Sequence, residues 1–190
     1  MREITPDVGD EALVVRAQGG DRWAEEALYR RHVRRISDAT IRVLGRTAEA
    51  EDIVQETFLT ALTKLDRLRD PALFERWLLR IAMNRVRSRL RKRKVLRALG
   101  LDRGADDATL AQLASRDTPT DVRVELARLD RVLAALPPQQ RMAWMLHWVE
   151  GFTLPETAEA CGCSLATVKR WIRVVRITLE DHVAEEAGDA

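Results

Sequence analysis

The sequence predicts an all-α protein built as two small helical domains joined by a flexible linker, and three observations carry that prediction. Apolar residues recur at three- and four-residue spacing through most of the chain, the signature of helices with one buried face. Only nine glycines occur among 190 residues while 33% are charged, a balance that favours helices over a turn-rich sheet protein. The longest interruption of the helical pattern, from Ala98 to Asp121, is an acidic, glycine- and proline-punctuated stretch.

The first helix runs from Asp10 to the Gly19-Gly20 pair. Asp21 is placed to cap a longer helix that carries Ala24, Ala27, Leu28, Ile36 and Val43 inward and ends at Gly45. A third helix, about Glu49 to Leu65, has the stripe Ala50, Val54, Phe58, Ala61, Leu62 and Leu65, with carboxylates in its first turn where the helix dipole favours them. Asp70-Pro71 breaks the pattern. A fourth helix then runs from about Leu73 through Phe74, Trp77, Leu78, Ile81, Ala82 and Val86 into a basic end. Residues 1–97 thus form one domain, 98–121 a linker and 122–190 a second domain.

The basic end is unusually concentrated. Arg85, Arg87, Arg89, Arg91, Lys92, Arg93, Lys94 and Arg97 occur with no acidic residue between Met83 and Arg97. Such a block repels itself unless a polyanion offsets it, and binding DNA would do so with release of counterions. A flexible basic arm is the bland alternative; attachment to an amphipathic helix favours DNA. Trp77 has two fates, core packing or stacking on an unpaired base, and its helical spacing favours the core. The Asp66 to Leu73 segment is better placed to hold an extruded base. On the third helix, Glu51, Asp52, Gln55, Glu56 and an exposed Leu59 lie opposite the apolar stripe, as either a solvated acidic face or a protein contact.

In the second domain a helix spans Val122 to Leu136, Pro137-Pro138 opens the next, and Gly151 closes that one after Glu150. Thr153-Leu-Pro-Glu156 fits a capping box. From that start, Ala158 falls where two helices of a helix-turn-helix approach, Gly162 where the turn needs a left-handed residue, and Val168 where the second helix packs back. Leu154, Cys161, Cys163 and Trp171 fill the remaining apolar positions. Ser164 caps a helix to about Glu180. With Val168, Trp171, Ile172 and Val175 inward, Ser164, Ala166, Thr167, Lys169, Arg170, Arg173 and Arg176 include the face open to DNA, where guanidinium and ammonium groups clamp phosphate or read guanine. A basic surface helix in an unrelated bundle is the alternative.

AEAEDIVQETFLTAL, FERWLLRIAMNRVRSRLRKRK and LAALPPQQRMAWMLHWVEGFTLPETAEACGCSLATVK occur in that order. They resemble three segments of the extracytoplasmic-function branch of the sigma-70 family: the region 2 helix that docks on RNA polymerase, the region 2 segment that opens and reads the minus-10 promoter element, and region 4, whose helix-turn-helix reads minus-35. The resemblance implies a non-catalytic subunit of core RNA polymerase, without cofactor or metal, that recognises promoter DNA and promotes its opening under anti-sigma control. It implies core-polymerase contacts at Asp52, Gln55, Glu56 and Leu59. Minus-10 contacts fall at Arg69, Asp70, Asn84, Arg85, Arg87, Ser88 and Arg91, and minus-35 contacts at Ser164, Thr167, Lys169, Arg170, Arg173 and Arg176. The family linker follows a path built for RNA, which the acidic 98–121 stretch suits. Thr157, where the family usually has isoleucine, and Arg170-Trp171-Ile172 depart from the pattern, so the promoter sequence does not transfer.

The net charge of +2 says little about partners by itself. No apolar run approaches the roughly 20 residues of a membrane span, and the first residues lack the apolar core of a secretory signal. The expectation is a cytoplasmic protein, monomeric when free. Cys161 and Cys163 have poor geometry for a structural disulfide and are too few for a closed zinc site; packing is the favoured role, with thiol redox sensing left open. Two rivals remain: a helix-turn-helix regulator that never joins polymerase, and a helical hydrolase or nuclease holding a metal on Glu51, Asp52 and Glu56.

Overall fold

The computed structural model describes residues 8–45, 47–100 and 130–188, and contains helices and no strand among them. Residues 101–129, which hold most of the predicted 98–121 linker and the first part of the predicted 122–136 helix, lie outside the described residues; Ala98 is still helical, and so is 130–135.

In the N-terminal half, α1 (Asp10–Gln18), α2 (Arg22–Leu44), α3 (Thr47–Thr63) and α4 (Phe74–Ala98) form a bundle. Asp21 starts α2 as predicted, its carboxylate accepting from the Trp23 and Ala24 amides that no preceding turn can satisfy. Gly45 ends α2 at φ 73°, a left-handed conformation that a Cβ disfavours. Asp70 accepts from the Ala72 amide at 3.1 Å and so opens the short 3-10 turn Pro71–Leu73 that leads into α4.

Each predicted stripe faces one core. Ala24, Leu28, Ile36 and Val43 of α2, Ala50, Val54, Phe58 and Ala61 of α3, and Phe74, Leu78, Ala82 and Val86 of α4 are all buried. Trp77 packs on that core from its margin, half-buried, with its ring 6.3 Å from that of Phe74. Buried Thr40 and Thr57 interrupt the apolar faces without an unsatisfied hydroxyl, because each donates to the carbonyl four residues back, Ile36 and Ile53.

The C-terminal half contains α5 (Pro138–Trp144), continued by a wider π-helical turn at Met145–Val149, then α6 (Leu154–Cys161) and α7 (Leu165–Gly188). The sequence reading had one uninterrupted helix to Glu150. The π turn shifts the register of the last residues, burying Met145 and Leu146 and leaving Trp148 and Val149 exposed.

A further difference lies between the halves. They do not keep separate cores: Met142, Met145, Leu146, Phe152 and Ala160 join the same apolar cluster as α1 to α4. Residues that periodicity assigned only to their own domain therefore also meet the other one.

Candidate nucleic-acid interface

The helix-turn-helix is set by its caps. The Thr153 hydroxyl accepts from the Glu156 amide while the Glu156 carboxylate accepts from the Thr153 amide at 2.8 Å, closing the predicted capping box. These hydrogen bonds hold the Glu156 carboxyl below the ordinary glutamate range, with Arg76 adding to the effect. Thr153→Ala is expected to cost about 1 kcal/mol of stability, measured by urea unfolding.

Gly162 follows α6 at φ 64°, and its amide and that of Cys163 return to the carbonyls of Glu159 and Ala158. The Ser164 hydroxyl then accepts from the Thr167 amide at 3.2 Å and starts α7. Val168 and Val175 are fully buried against the rest of the motif, whereas Trp171 and Ile172 are half-buried at its margin. The departure at Thr157 has a local reason: its side chain is buried, and its hydroxyl donates to the Thr153 carbonyl at 2.9 Å, so the polar atom is satisfied where an isoleucine would only pack.

Ser164, Ala166, Lys169, Arg170, Arg173 and Arg176 are exposed, and Thr167 is half-buried beside them. One face of α7 therefore offers four cations to solvent, of which Arg176 lies 3.6 Å from Glu180.

The basic end of α4 has a different environment. Arg85 pairs with Glu56 and donates to the Thr60 hydroxyl, Arg89 lies 4.0 Å from Asp52, and Arg93 lies 2.7 Å from Glu49. Residues 85, 89 and 93 thus run antiparallel to 56, 52 and 49 as a charge ladder between α4 and α3. The partly exposed Arg85–Glu56 and Arg89–Asp52 pairs contribute only about 0–1 kcal/mol each, while Arg93 meets Glu49 at a buried position, 8% exposed; apolar burial remains what holds α3 to α4. The ladder was missed from sequence, although the matching three- and four-residue spacings of opposite charge were its signal. It places two candidate polymerase residues, Asp52 and Glu56, against a candidate DNA residue, Arg85.

Gln55 and Leu59 project clear of the ladder, Leu59 at 71% exposure. Asn84, Ser88 and Arg91 are exposed on α4, and Arg69 and Asp70 are exposed in the loop before it. Arg87 instead turns toward the other half, donating to the carbonyls of Glu159 and Ala160 at 3.1 and 3.2 Å.

Burial pushes the Cys161 thiol up to about 12 and also raises that of Cys163. Burial thus works against the thiolate form at both positions. Among the described residues no group of three His, Cys, Asp or Glu side chains could hold a metal ion, and no helix is long and apolar enough to cross a membrane.

Comparison with known proteins agrees with this geometry. Residues 28–95 match the model of Sigma-70 region 2, and residues 126–179 match that of Sigma-70 region 4. The RNA polymerase sigma factor NccH of Alcaligenes xylosoxydans xylosoxydans is 33% identical over 171 residues, covering 90% of this chain and 92% of NccH. The ECF RNA polymerase sigma-E factor of Haemophilus influenzae is 29% identical over 182 residues, covering 92% of this chain and 95% of its own length. The solved structure of sigma factor RpoE from Bartonella quintana, in complex with the anti-sigma factor NepR, superposes with a TM-score of 0.62 at 25% identity, covering 84% of this chain and 96% of that one. With both halves of the chain matched in order and the helix-turn-helix in place, this protein belongs to the sigma-70 family of RNA polymerase specificity subunits, in its extracytoplasmic-function branch.

Proposed function

We propose that this chain directs core RNA polymerase to promoters by dividing recognition between its halves, itself performing no catalysis. Residues 1–97 take the minus-10 element and the polymerase, and 122–190 take minus-35. The observation that carries this reading is the exposed basic face of α7, presented by a fully capped helix-turn-helix. Lys169, Arg170 and Arg173 reach base edges and phosphates of duplex DNA, with Ser164, Thr167 and Arg176 at the margins. Asn84, Ser88 and Arg91, with Arg69 and Asp70 of the preceding loop, face the unpaired minus-10 strand. Arg85 and Arg87 are available there once their intramolecular partners are exchanged for phosphate.

Polymerase docks on Gln55 and Leu59, with Asp52 and Glu56 at the rim. Three polar residues around one exposed leucine make a small apolar anchor with a polar surround, the anatomy of a protein contact. By likeness to RpoE, which was solved with the anti-sigma factor NepR, an anti-sigma factor controls the chain by covering these faces. The site of action is the cytoplasm, where polymerase and promoters are.

A run-off assay with reconstituted core enzyme over a genomic promoter library tests the reading; folded protein that gives no specific initiation would overturn it. Pull-down of core polymerase with Leu59→Arg and Asp52→Arg separates it from a DNA-binding regulator that never joins polymerase. Leu59→Arg is expected to reduce capture at least tenfold with no loss of stability, because its side chain is exposed. Unchanged capture by both variants would support the regulator.

A further inference from the structure

The loop that leads into α4 is held from a distant part of the chain. Gln18, the last residue of α1, is half-buried, and its side-chain amide donates to the Leu65 carbonyl at 3.0 Å and to the Leu68 carbonyl at 2.9 Å. These partners lie 47 and 50 residues further along the sequence. An amide nitrogen carries two hydrogens, so one side chain satisfies both carbonyls and leaves no donor over.

Each end of this bridge is fixed by its own surroundings. Leu13, Val14 and Ala17 bury α1 in the core. The Gly19, Gly20 and Asp21 amides return to the carbonyls of Val15, Ala17 and Arg16, which closes the helix around Gln18. On the loop side Leu65 and Leu68 are buried, while Asp66, Arg67, Arg69 and Asp70 face solvent. The Arg67 and Leu68 amides close a 3-10 turn on the Lys64 and Leu65 carbonyls, and Leu68 then leaves it in extended conformation at φ −78° and ψ 103°. The carbonyl of an extended residue finds no partner in the turn it leaves, so Gln18 supplies a bond that local structure does not.

The next two residues are Arg69 and Asp70, assigned above to the unpaired minus-10 strand. The Asp70 carboxylate accepts from the Ala72 amide at 3.1 Å, and the Leu73 amide returns to the Asp70 carbonyl at 3.1 Å. Arg69 and Asp70 therefore stand between a backbone point held by Gln18 and the turn that opens α4. A short exposed segment ordered only on meeting DNA subtracts that ordering from the binding energy. A loop free to relax also admits a wrong base more readily, because the mismatch no longer meets a fixed surface.

We propose that Gln18 is a positioning residue for minus-10 recognition: from α1 it sets the backbone that presents Arg69 and Asp70, without touching DNA itself. The role rests on the assignment of those two residues to the minus-10 strand.

Gln18→Met and Gln18→Glu test it in the holoenzyme. The first keeps the length of the side chain and removes both donors; the second sets a carboxylate against two carbonyl oxygens. The probe is a single-stranded minus-10 oligonucleotide from a promoter found by run-off transcription, with each position replaced in turn by every other base. Both variants are expected to bind the cognate strand about tenfold more weakly. Both are also expected to lose base preference at the position where Arg69→Ala or Asp70→Ala loses it. Minus-35 duplex binding and core capture should stay at wild-type levels. With Arg69→Ala and Asp70→Ala already present, Gln18→Met should change the preference no further, because it acts through those residues.

Binding is measured well below each thermal transition, and circular dichroism establishes that each variant is folded; either substitution suffices should the other fail to fold. A loss of stability alone, with wild-type base preference, would overturn the role, as would equal weakening on every base and on minus-35 duplex. If Arg69→Ala and Asp70→Ala also leave the preference untouched, the minus-10 assignment of the loop fails. If they reduce it and both Gln18 variants do not, only the role of Gln18 fails.

Discussion

Phe74→Ala is expected to lower the free energy of unfolding by about 3–5 kcal/mol, the range for removing a buried phenylalanine. Phe74 is the first residue of α4 and is 1% exposed. Its ring meets His32 of α2 edge-on at 5.3 Å and Trp77 at 6.3 Å. His32 is itself tied to Asp10 of α1 at 2.8 Å, so the ring joins three helices at one point. With domains of this kind stable by only about 5–15 kcal/mol, the loss is a large share of the total. Urea unfolding followed by circular dichroism checks it. A midpoint within error of wild type would mean that this junction is not where the bundle is held.

The second large effect is expected on α7. Arg170→Ala or Arg173→Ala should weaken binding of the polymerase holoenzyme to minus-35 duplex by about 1–3 kcal/mol if the guanidinium reads a base, with relaxed preference at one position. Loss of a phosphate contact instead weakens binding on all sequences alike and reduces the salt slope by about one unit. Lys169→Ala is expected to behave in this second way, since an ammonium is a point charge without the planar fork that pairs with guanine. All three side chains are exposed, so the thermal transition should not move. Equilibrium binding across salt concentrations, on matched and scrambled minus-35 sequences, distinguishes the two behaviours. Wild-type affinity in all three variants would remove α7 as the reading helix.

Much of the local structure was legible because it depends on neighbours in sequence. The Asp21 cap, the end of α2 at Gly45, the Thr153 to Glu156 box and the left-handed Gly162 each rest on a side chain and backbone within a few residues of one another. The inward stripes of α2, α3 and α4 were legible for the same reason, helical periodicity being a property of a short window. The π turn at Met145–Val149 was not, because nothing in the order Met-Leu-His-Trp-Val distinguishes a wider turn from an α-helical one.

The site divides along the same line. That α7 is basic and outward-facing could be read directly, since Val168 and Val175 on its inner face define the outer one by subtraction. Which partners the α4 arginines take could not. Arg85, Arg87 and Arg89 are two residues apart in a uniformly basic run, yet Arg85 and Arg89 meet α3 while Arg87 meets α6. Two residues on a helix are about 200° apart at 3.6 residues per turn, so adjacent members of the block necessarily look in different directions.

By itself the order of residues determined two helical units, their caps, and a last helix with an outward cationic face, all consequences of contacts within a single element or between elements adjacent in the chain. Only the tertiary structure decided that the units share one apolar cluster and that Arg35, Arg76, Arg80 and Arg87 close across it. The physical reason is range. Periodicity reports which face of a helix leaves water, but not which distant surface receives it, and a guanidinium is satisfied equally by carboxylate, carbonyl or phosphate.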